Sequence, residues 1–393
     1  MAMNRTVGFT ASIGAQMIVR FVEVGGRSGK MRIKINLQKI TENAMAITDL
    51  CAAHGITVMG VTKSCCGMPE VARAMLAGGV EGLADSRLSN IRRMREAGIK
   101  VDMLLLRSPA LSETTETVKL AETSLNSEFE VVASLAQEAR ALGKLHQVIL
   151  MVDVGDRREG VMPQNVAELA KRVEGLEGIR LLGLGSNVGC LSGIRPSSKD
   201  TQLLVQLAAR IEEAIGRELD VISGGSSIHL RMVAQGRLPA RINQLRIGHK
   251  ILLGFDPPDG HLFSLTSQDA FTLIGEVIEV GWKSTLPRSK SRRRALGGHL
   301  GEDQGVRCRA ILAVGTQDVR TEWLNPRAPG MTIIGATSDH LVLDVTANPV
   351  KVGDKLEFGL GYRALMTAMA SPYVSKEILS PRQIDFCGDL AAT

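Results

Sequence analysis

The stretch VMGVTKSCCG, residues 58–67, carries an apolar run directly into a lysine. Its first residues are small or apolar, which predicts a buried strand over residues 58–63 that ends in Lys63. Lysine is rarely buried unless it is paired or covalently engaged. Lys63 is therefore either an ordinary lysine that reaches the rim of the fold or a residue that engages a ligand.

Further apolar runs follow, and segments with helical period separate them. The eight runs are VMGVTK (58–63), GLADS (82–86), DMLLLRS (102–108), TSLNS (123–127), QVILMVDVG (147–155), LLGLGSN (181–187), VISGGSS (221–227) and QLRIG (244–248). Strands that alternate with helices form parallel sheets with right-handed crossovers, so this α/β pattern predicts a closed (β/α)8 barrel of TIM type. An open doubly wound sheet is the alternative, but the GxGxxG signature that would favour it is absent after the first strand.

The pattern of apolar and polar residues changes after residue 262. Strand-like runs separated by Gly, Pro and Asn follow, among them AFTLIGEVIEV (270–280), RAILAVG (309–315) and HLVLDV (340–345). They predict a smaller, mostly β domain over residues 261–393, which RIKINL (32–37) joins from the other end of the chain. The barrel is assigned to residues 31–260. Residues 1–30 are interpreted as an N-terminal extension or a start-site artefact, because no convincing signal-peptide cleavage site follows them.

The composition excludes several classes of protein. The chain has 393 residues, 44% of them hydrophobic, with a net charge of +6 and only 3% aromatic residues. Nucleic-acid binding would need basic residues interleaved with aromatics, and the one basic run, residues 288–294, is interpreted as a solvated loop, with a polyanion site as the alternative. No apolar run is long enough to span a membrane. Six cysteines without disulfide or metal-ligand spacing predict reduced thiols, a cytoplasmic location and no metal.

Polar residues close every predicted strand, at the end where TIM-type barrels hold their active sites. Two of these ends, ISGGSS (222–227) and RIG (246–248), offer glycines, main-chain N–H groups and hydroxyls after strands seven and eight, where such barrels commonly bind phosphate. A lysine after strand one that faces a phosphate site indicates a phosphorylated aldehyde cofactor bonded to the lysine amine. Pyridoxal 5′-phosphate fits this description.

Several longer phrases give the chain a family resemblance from about residue 31 to its C-terminus. It resembles the alanine racemase-type, fold type III, pyridoxal-phosphate enzymes, and within them it is most similar to the ornithine and lysine (basic amino-acid) racemase branch. The phrases are GVTKSCCGMPEVARAM (60–75), LADSR (83–87), SLNSE (124–128), ILMVDVGDRREG (149–160), SGGSS (223–227), NQLRIGHKILLG (243–254), SQDAFTLIGEV (267–277), GATSDHLVLDV (335–345) and MASPYV (369–374).

The resemblance implies a role for each matching residue. Lys63 bonds the cofactor and is one of two acid–base groups, Arg246 faces the pyridine nitrogen, and Arg158 reaches the ring hydroxyl and the substrate carboxylate. The remaining implied cofactor-binding residues are Asn187, Ser226, Ser227, Ile247, Gly248 and Tyr362. For Tyr362, a packed tyrosine with a satisfied hydroxyl is the alternative.

The chemistry of arginine predicts how Arg246 would affect the cofactor. Arginine does not give up its proton near neutral pH, so Arg246 holds the pyridine nitrogen unprotonated and makes the cofactor a weaker electron sink. That favours reversible proton exchange over side reactions. The related decarboxylases place a glutamate at this position.

The chain departs from the alanine racemase pattern at the second catalytic base. Ser64, Cys65, Cys66 and Gly67 stand where a tyrosine follows the lysine, Thr316 replaces the catalytic tyrosine, and the histidine that supports it is replaced near Asn187. Asp339 and His340 are predicted as the second base, because histidine has a suitable unperturbed pKa. Asp318 and Cys66 are the other candidates, and a structural turn is the alternative for residues 339–340.

The resemblance thus implies a racemase that interconverts the L and D forms of a basic amino acid, ornithine or lysine, by two-base α-proton exchange. It also implies a homodimer with shared active sites. Asp156, Asp318 and Asp339 are candidates to bind the distal cation of the substrate. The alternatives are a diamino-acid decarboxylase of the same fold and a non-catalytic protein that binds pyridoxal phosphate.

Overall fold

The computed structural model of the protein describes residues 17–22, 31–255, 265–285 and 303–381. Its strands are β1 (Met17–Val22), β2 (Arg32–Asn36), β3 (Thr57–Val61), β4 (Gly82–Asp85), β5 (Met103–Leu105), β6 (Thr123–Asn126), β7 (His146–Met151), β8 (Ile179–Gly185), β9 (Val221–Ser226), β10 (Gln244–Ile247), β11 (Phe271–Ser284), β12 (Val306–Leu312), β13 (Leu324–Pro326), β14 (Thr332–Ala336), β15 (Leu341–Asp344), β16 (Lys355–Leu360) and β17 (Ser375–Pro381). Its helices are α1 (Leu37–Ala52), α2 (Pro69–Ala77), α3 (Leu88–Glu96), α4 (Thr114–Leu120), α5 (Phe129–Ala141), α6 (Val166–Glu174), α7 (Ser198–Ile215), α8 (Leu230–Ala234), α9 (His249–Leu253) and α10 (Tyr362–Ala370).

Strands β3 to β10 close a parallel barrel, in which β10 pairs with both β3 and β9. Each of the eight predicted apolar runs overlaps one barrel strand, so the predicted (β/α)8 barrel is confirmed. The strand bodies are buried because the helices cover them from outside, as an all-parallel sheet requires. Pro69 stands at the first position of α2, where its missing N–H costs no hydrogen bond.

A second, mostly antiparallel sheet confirms the predicted β-rich domain. Its strand order is β1-β17-β2-β11-β12-β15-β14, and β16 pairs with β11 and β13. Strand β2, which precedes the barrel, lies between β11 and β17. Strand β1 pairs with β17, so part of the segment predicted as an N-terminal extension is hydrogen-bonded to this sheet.

Helix α10 connects the second domain to the active end of the barrel, because it packs against the turn at Lys63–Cys65 that follows β3. The predicted boundary at residues 260/261 and the basic run at 288–294 lie outside the described residues. Within the described ranges, no helix combines the length and apolar character needed to cross a bilayer.

Candidate active site

Lys63 opens a short 3₁₀ turn, Lys63–Cys65, at the carboxyl end of β3, and its side chain is exposed. The turn is tight because the N–H groups of Cys65 and Gly67 both donate to the carbonyl of Thr62, at 3.0 and 3.2 Å. Cys66 takes the left-handed conformation, with φ 56°. Burial raises the pKa of the Cys66 thiol, which makes this residue a weak candidate for a base at neutral pH.

Arg246 comes from β10 and is only 5% exposed. It donates from Nη2 to the carbonyl oxygen of Ser186 at 2.7 Å, and from Nη1 to the hydroxyl of Ser223. Burial lowers the pKa of Arg246 to about 10, so it remains a cation at neutral pH. Among the described residues, no carboxylate pairs with this buried cation.

The ends of β9 and β10 lie side by side, as the predicted phosphate site requires. The main-chain N–H of Lys250 donates to the Ser227 hydroxyl at 3.4 Å, and that of Ser226 donates to His229 Nδ1 at 3.3 Å. Gly248 must be a glycine, because a Cβ there would lie 2.6 Å from the carbonyl oxygen of Val61.

The remaining residues at these two strand ends are buried. Ser227, Ile247 and Gly248 are buried and Ser226 is half-buried. The two strand ends therefore form a largely buried rim of main-chain and hydroxyl groups on one side of the barrel mouth.

Tyr362, the first residue of α10, brings the second domain to this rim. Its ring stacks on His249 with centroids 5.1 Å apart and an interplanar angle of 19°. Burial raises the pKa of Tyr362 to about 12, so the phenol is a hydrogen-bond donor at neutral pH. In the described parts of the chain the Tyr362 hydroxyl has no hydrogen-bond partner, and buried His249 Nε2 has none either. The role of Tyr362 at the phosphate stays a prediction.

Arg158 follows β7 in a loop with acidic neighbours. Its Nη2 pairs with Glu159 at 2.8 Å and its Nε lies 3.4 Å from Asp156. Asp156 is 3% exposed and accepts hydrogen bonds from the Ser192 hydroxyl at 2.7 Å and from the N–H groups of Gly189 and Ser192 at 3.1 Å. Its oxygens are occupied by the loop after β8, which makes Asp156 a weaker candidate than Asp318 or Asp339 for the carboxylate that binds a substrate cation.

Asn187 lies in that same loop after β8. It is half-buried, and its Nδ2 donates to the sulfur of exposed Cys190 at 3.0 Å. Asn187 therefore helps to shape the loop that Asp156 holds.

Asp339 and His340 lie in the exposed turn between β14 and β15. The N–H of Gln317 donates to the Ser338 carbonyl at 3.2 Å, so the loop that carries Asp318 packs beside this turn. Burial, and then Asp339, raises the pKa of Asp318. Within the described residues, the hydrogen bonds of Asp339 and His340 stay inside their turn, so one chain does not link the predicted second base to Lys63.

Sequence reasoning noted Asp85 only as a polar strand end, but the structure places it in a network with the Lys63 turn. Asp85 is fully buried and accepts a 2.7 Å hydrogen bond from the hydroxyl of Thr62, the residue before Lys63. Asn90 Nδ2 donates to its other oxygen at 3.0 Å. The polar ends of neighbouring strands β3 and β4 were the signal that could have suggested this contact.

The residues present fit the predicted cofactor. An exposed primary amine lies at the end of one strand; among the residues that the structure describes, the buried cation Arg246 has no carboxylate partner and the Tyr362 hydroxyl no hydrogen-bond acceptor. A phosphorylated, planar heteroaromatic aldehyde offers an acceptor for each of these donors.

Comparisons with known proteins agree with this geometry. Residues 35–256 match the family described as alanine racemase, N-terminal domain. The chain is 37% identical over 347 residues to the lysine racemase of Thermotoga maritima, covering 88% of this chain and 97% of that protein. It is 35% identical over 352 residues to the ornithine racemase of Acetoanaerobium sticklandii, covering 88% of this chain and 99% of that protein.

Solved structures give the same fold. An alanine racemase of Clostridium difficile 630 superimposes with a TM-score of 0.72 at 19% identity, covering 90% of this chain and 96% of that chain. At 19% identity this structural likeness shows a shared fold only. Family membership rests on the sequence matches to the family model and to the two racemases. The resemblance predicted from the sequence is confirmed, and the chain belongs to the alanine racemase family.

Proposed function

We propose that this protein is a pyridoxal-phosphate-dependent racemase that interconverts the L and D forms of a basic amino acid, ornithine or lysine. The observation that carries the proposal is the exposed Lys63 at the mouth of a barrel whose buried cation, Arg246, has no carboxylate partner in the described chain. The lysine and ornithine racemases, which match this chain over 88% of its length, support the choice of substrate.

Membership of the alanine racemase family supports pyridoxal 5′-phosphate as the cofactor. Lys63 would bond its aldehyde carbon, and Arg158 would contact the ring hydroxyl. The rim at the ends of β9 and β10 would hold the phosphate, with Ser226, Ser227, Ile247, Gly248 and Tyr362 as its donors and Asn187 in the adjoining loop. When bound, this cofactor withdraws electrons from the substrate and so lowers the cost of removing the α-proton.

Arg246 selects among the reactions that such a cofactor allows. Its guanidinium is fixed by the Ser186 carbonyl and remains charged at neutral pH, so it donates a hydrogen bond and does not transfer a proton. A ring nitrogen that faces it stays unprotonated. This favours reversible exchange of the α-proton over loss of the substrate carboxylate, and so favours racemase over decarboxylase.

Two groups must act on opposite faces of the substrate. Lys63 Nζ moves the proton on one face of the substrate. Its amine is displaced when the substrate binds, and it then lies near the α-carbon as a free base. The Asp339–His340 turn is the proposed source of the second group. Since its hydrogen bonds remain within its own domain, we assign it to the site of a second copy of the chain. The protein would then be a homodimer with shared active sites.

The distal ammonium of ornithine or lysine needs a carboxylate at the far end of the pocket. Asp156 is already used by the loop after β8, which leaves Asp318 and Asp339, in two loops that pack side by side. A cytoplasmic location is part of the proposal and is supported by the free thiols of the described cysteines.

The test is to incubate the protein with pyridoxal phosphate and L-ornithine or L-lysine in deuterated water, and to follow the α-proton by NMR together with optical rotation. Loss of the α-proton signal, with rotation falling to zero and no new product, is the expected result. A diamine product would overturn the racemase assignment in favour of a decarboxylase. Retention of the α-proton with both substrates would overturn the proposed substrate class.

A further inference from the structure

The turn that carries Lys63 is attached on both sides to one buried carboxylate. Before the lysine, the Thr62 hydroxyl donates to Asp85 Oδ2 at 2.7 Å. On the other side, Asp85 Oδ1 accepts from Asn90 Nδ2 at 3.0 Å, and the N–H of Arg87 donates to the same oxygen at 3.0 Å. Thr62 and Asp85 are both 0% exposed, so water does not compete for these bonds.

Asn90 closes the other side of the turn by direct packing. Gly67 has a φ of 60°, and a Cβ at this position would lie 2.7 Å from Asn90 Cβ and 2.8 Å from its carbonyl oxygen. The main chain after Lys63 therefore rests against the residue that Asp85 holds. A displacement of Asp85 would disturb the turn at both Thr62 and Gly67.

We propose that Asp85 is a positioning residue that fixes the direction of the Lys63 side chain through Thr62 and Asn90. The inference deepens the proposed function, since it rests on the role of Lys63 in bonding pyridoxal phosphate. Asp85 acts through its neighbours and has no contact of its own with the reacting atoms.

A carboxylate suits this position because three donors converge on its two oxygens. An asparagine would offer a single acceptor atom, so the Thr62 hydroxyl would lose its 2.7 Å bond and keep only the Ala84 carbonyl, at 3.4 Å, as an acceptor. Asp85 is 0% exposed, and this burial raises the pKa of its carboxyl. The three hydrogen bonds oppose that effect and favour the charged form.

The experiment compares four variants with the wild-type chain. Asp85→Asn removes one acceptor, Thr62→Val removes the hydroxyl at nearly constant volume, and Thr62→Ser keeps the hydroxyl as the conservative change. Thr117→Val is the matched control, because Thr117 is also 0% exposed and its hydroxyl donates to Glu113 O at 2.8 Å, outside the network of Thr62, Asp85 and Asn90. Thermal unfolding of each protein without cofactor reports whether the fold is intact.

The primary measurement is the second-order rate constant with which pyridoxal phosphate attaches to the protein. Borohydride reduction and peptide mass spectrometry then identify the lysine that is modified. We expect Asp85→Asn and Thr62→Val each to slow attachment at Lys63 by about tenfold, while Thr62→Ser and Thr117→Val remain within about twofold of wild type. A double variant, Asp85→Asn with Thr62→Val, should be no slower than the slower single variant, because the hydroxyl that Thr62→Val removes acts through its bond to Asp85.

The outcomes separate this inference from the proposed function. Attachment at Lys63 with equal rates in all variants overturns the positioning role and leaves the racemase proposal standing. Slowed attachment in the two variants supports the role even if no basic amino acid is racemised. Absence of modification at Lys63 in the wild-type chain overturns both. If Asp85→Asn does not fold, Thr62→Val measured against Thr62→Ser decides the question alone.

Discussion

Arg246 Nη2 donates a 2.7 Å hydrogen bond to the main-chain carbonyl of Ser186, which joins β10 to the end of β8 across the intervening strand β9. The direction of the Arg246 guanidinium is thereby set by a main-chain carbonyl. A substitution of the Ser186 side chain would leave this acceptor in place. The charge that faces the cofactor ring in the proposed site is thus a feature of the barrel itself.

Arg246→Lys should test this arrangement. A lysine keeps the charge but lacks the planar fork, so it cannot reach both Ser186 O and the Ser223 hydroxyl. We expect racemisation to slow by about tenfold or more and the free energy of unfolding to fall by about 1–3 kcal/mol. Arg180→Lys is the control, because Arg180 is at the surface and pairs with Asp220 at 3.1 Å. Equal turnover for wild type and Arg246→Lys would contradict the proposed role.

Lys63→Ala should abolish attachment of pyridoxal phosphate and racemisation while the fold is retained. Lys63 is exposed, and replacement of an exposed residue outside the core changes stability by about 0.5 kcal/mol or less. The measurements are the absorbance of the bound cofactor, the racemisation rate and the unfolding temperature. Lys119→Ala, another exposed lysine, should behave as wild type. Full activity in the Lys63→Ala protein would remove the lysine from the mechanism.

Tyr362→Phe should weaken cofactor binding without loosening the domain contact. The ring that stacks on His249 is kept, and only the hydroxyl without a partner in the described chain is lost. One hydrogen bond to a charged phosphate is worth about 1.5–3 kcal/mol, so the dissociation constant of pyridoxal phosphate should rise by tenfold or more. Titration of the cofactor into both proteins measures this. An unchanged dissociation constant would exclude the hydroxyl from the phosphate site.

Asp156 should give the protein a recognisable acid sensitivity. Burial alone would raise the pKa of Asp156, but hydrogen bonds from Ser192, Leu191 and Arg158 hold it at about 2, below its ordinary 3.8. A carboxyl whose pKa is lower in the folded state stabilises the fold above pH 4, and this contribution is lost as the pH falls from about 4 to 2. Its size is about 2 kcal/mol.

Chemical unfolding at a series of pH values should therefore show a loss of stability over that range which Asp156→Asn lacks. At pH 7 the variant should already be less stable by a similar amount. A variant with the same pH dependence as wild type would show that Asp156 does not hold the loop after β8 in solution.

Complementation between two inactive chains should test the shared site. Lys63→Ala removes the residue supplied by the barrel, and His340→Asn removes part of the turn assigned to the second copy. If each site combines both copies, a hybrid dimer regains one intact site, so an equimolar mixture should recover roughly a quarter of wild-type activity after subunit exchange. Two variants that remain inactive when mixed, although hybrids form, would place both residues in the same site.

The barrel could be predicted because each strand is a local pattern, an apolar run that ends at a polar residue. The hydrogen-bond partners of the polar residues at the strand ends could not be predicted in the same way. Asp85 lies 23 residues from Thr62, and only closure of the barrel brings the ends of β3 and β4 together. Asp156 was an expected substrate ligand because sequence shows its charge, but not the N–H groups of residues 189–192 that fold back to meet it.

The second base shows a different limit of sequence reasoning. Asp339 and His340 are easy to single out as polar residues in a predicted turn, yet the role proposed for them depends on a neighbouring copy of the chain. The local sequence pattern predicts that both residues lie in a turn, but it does not predict how a second copy of the chain is placed against that turn. Their part in proton transfer stays a prediction for the complementation experiment.

The position of β2 between β11 and β17 has a consequence for biosynthesis. Ile33 and Ile35 are fully buried in the finished protein, but the strands that border them leave the ribosome only after the whole barrel has been made. During that interval β2 presents bare edges and uncovered isoleucines. The growing chain is therefore prone to aggregation at β2 until β11 and β17 have been made and can pair with it.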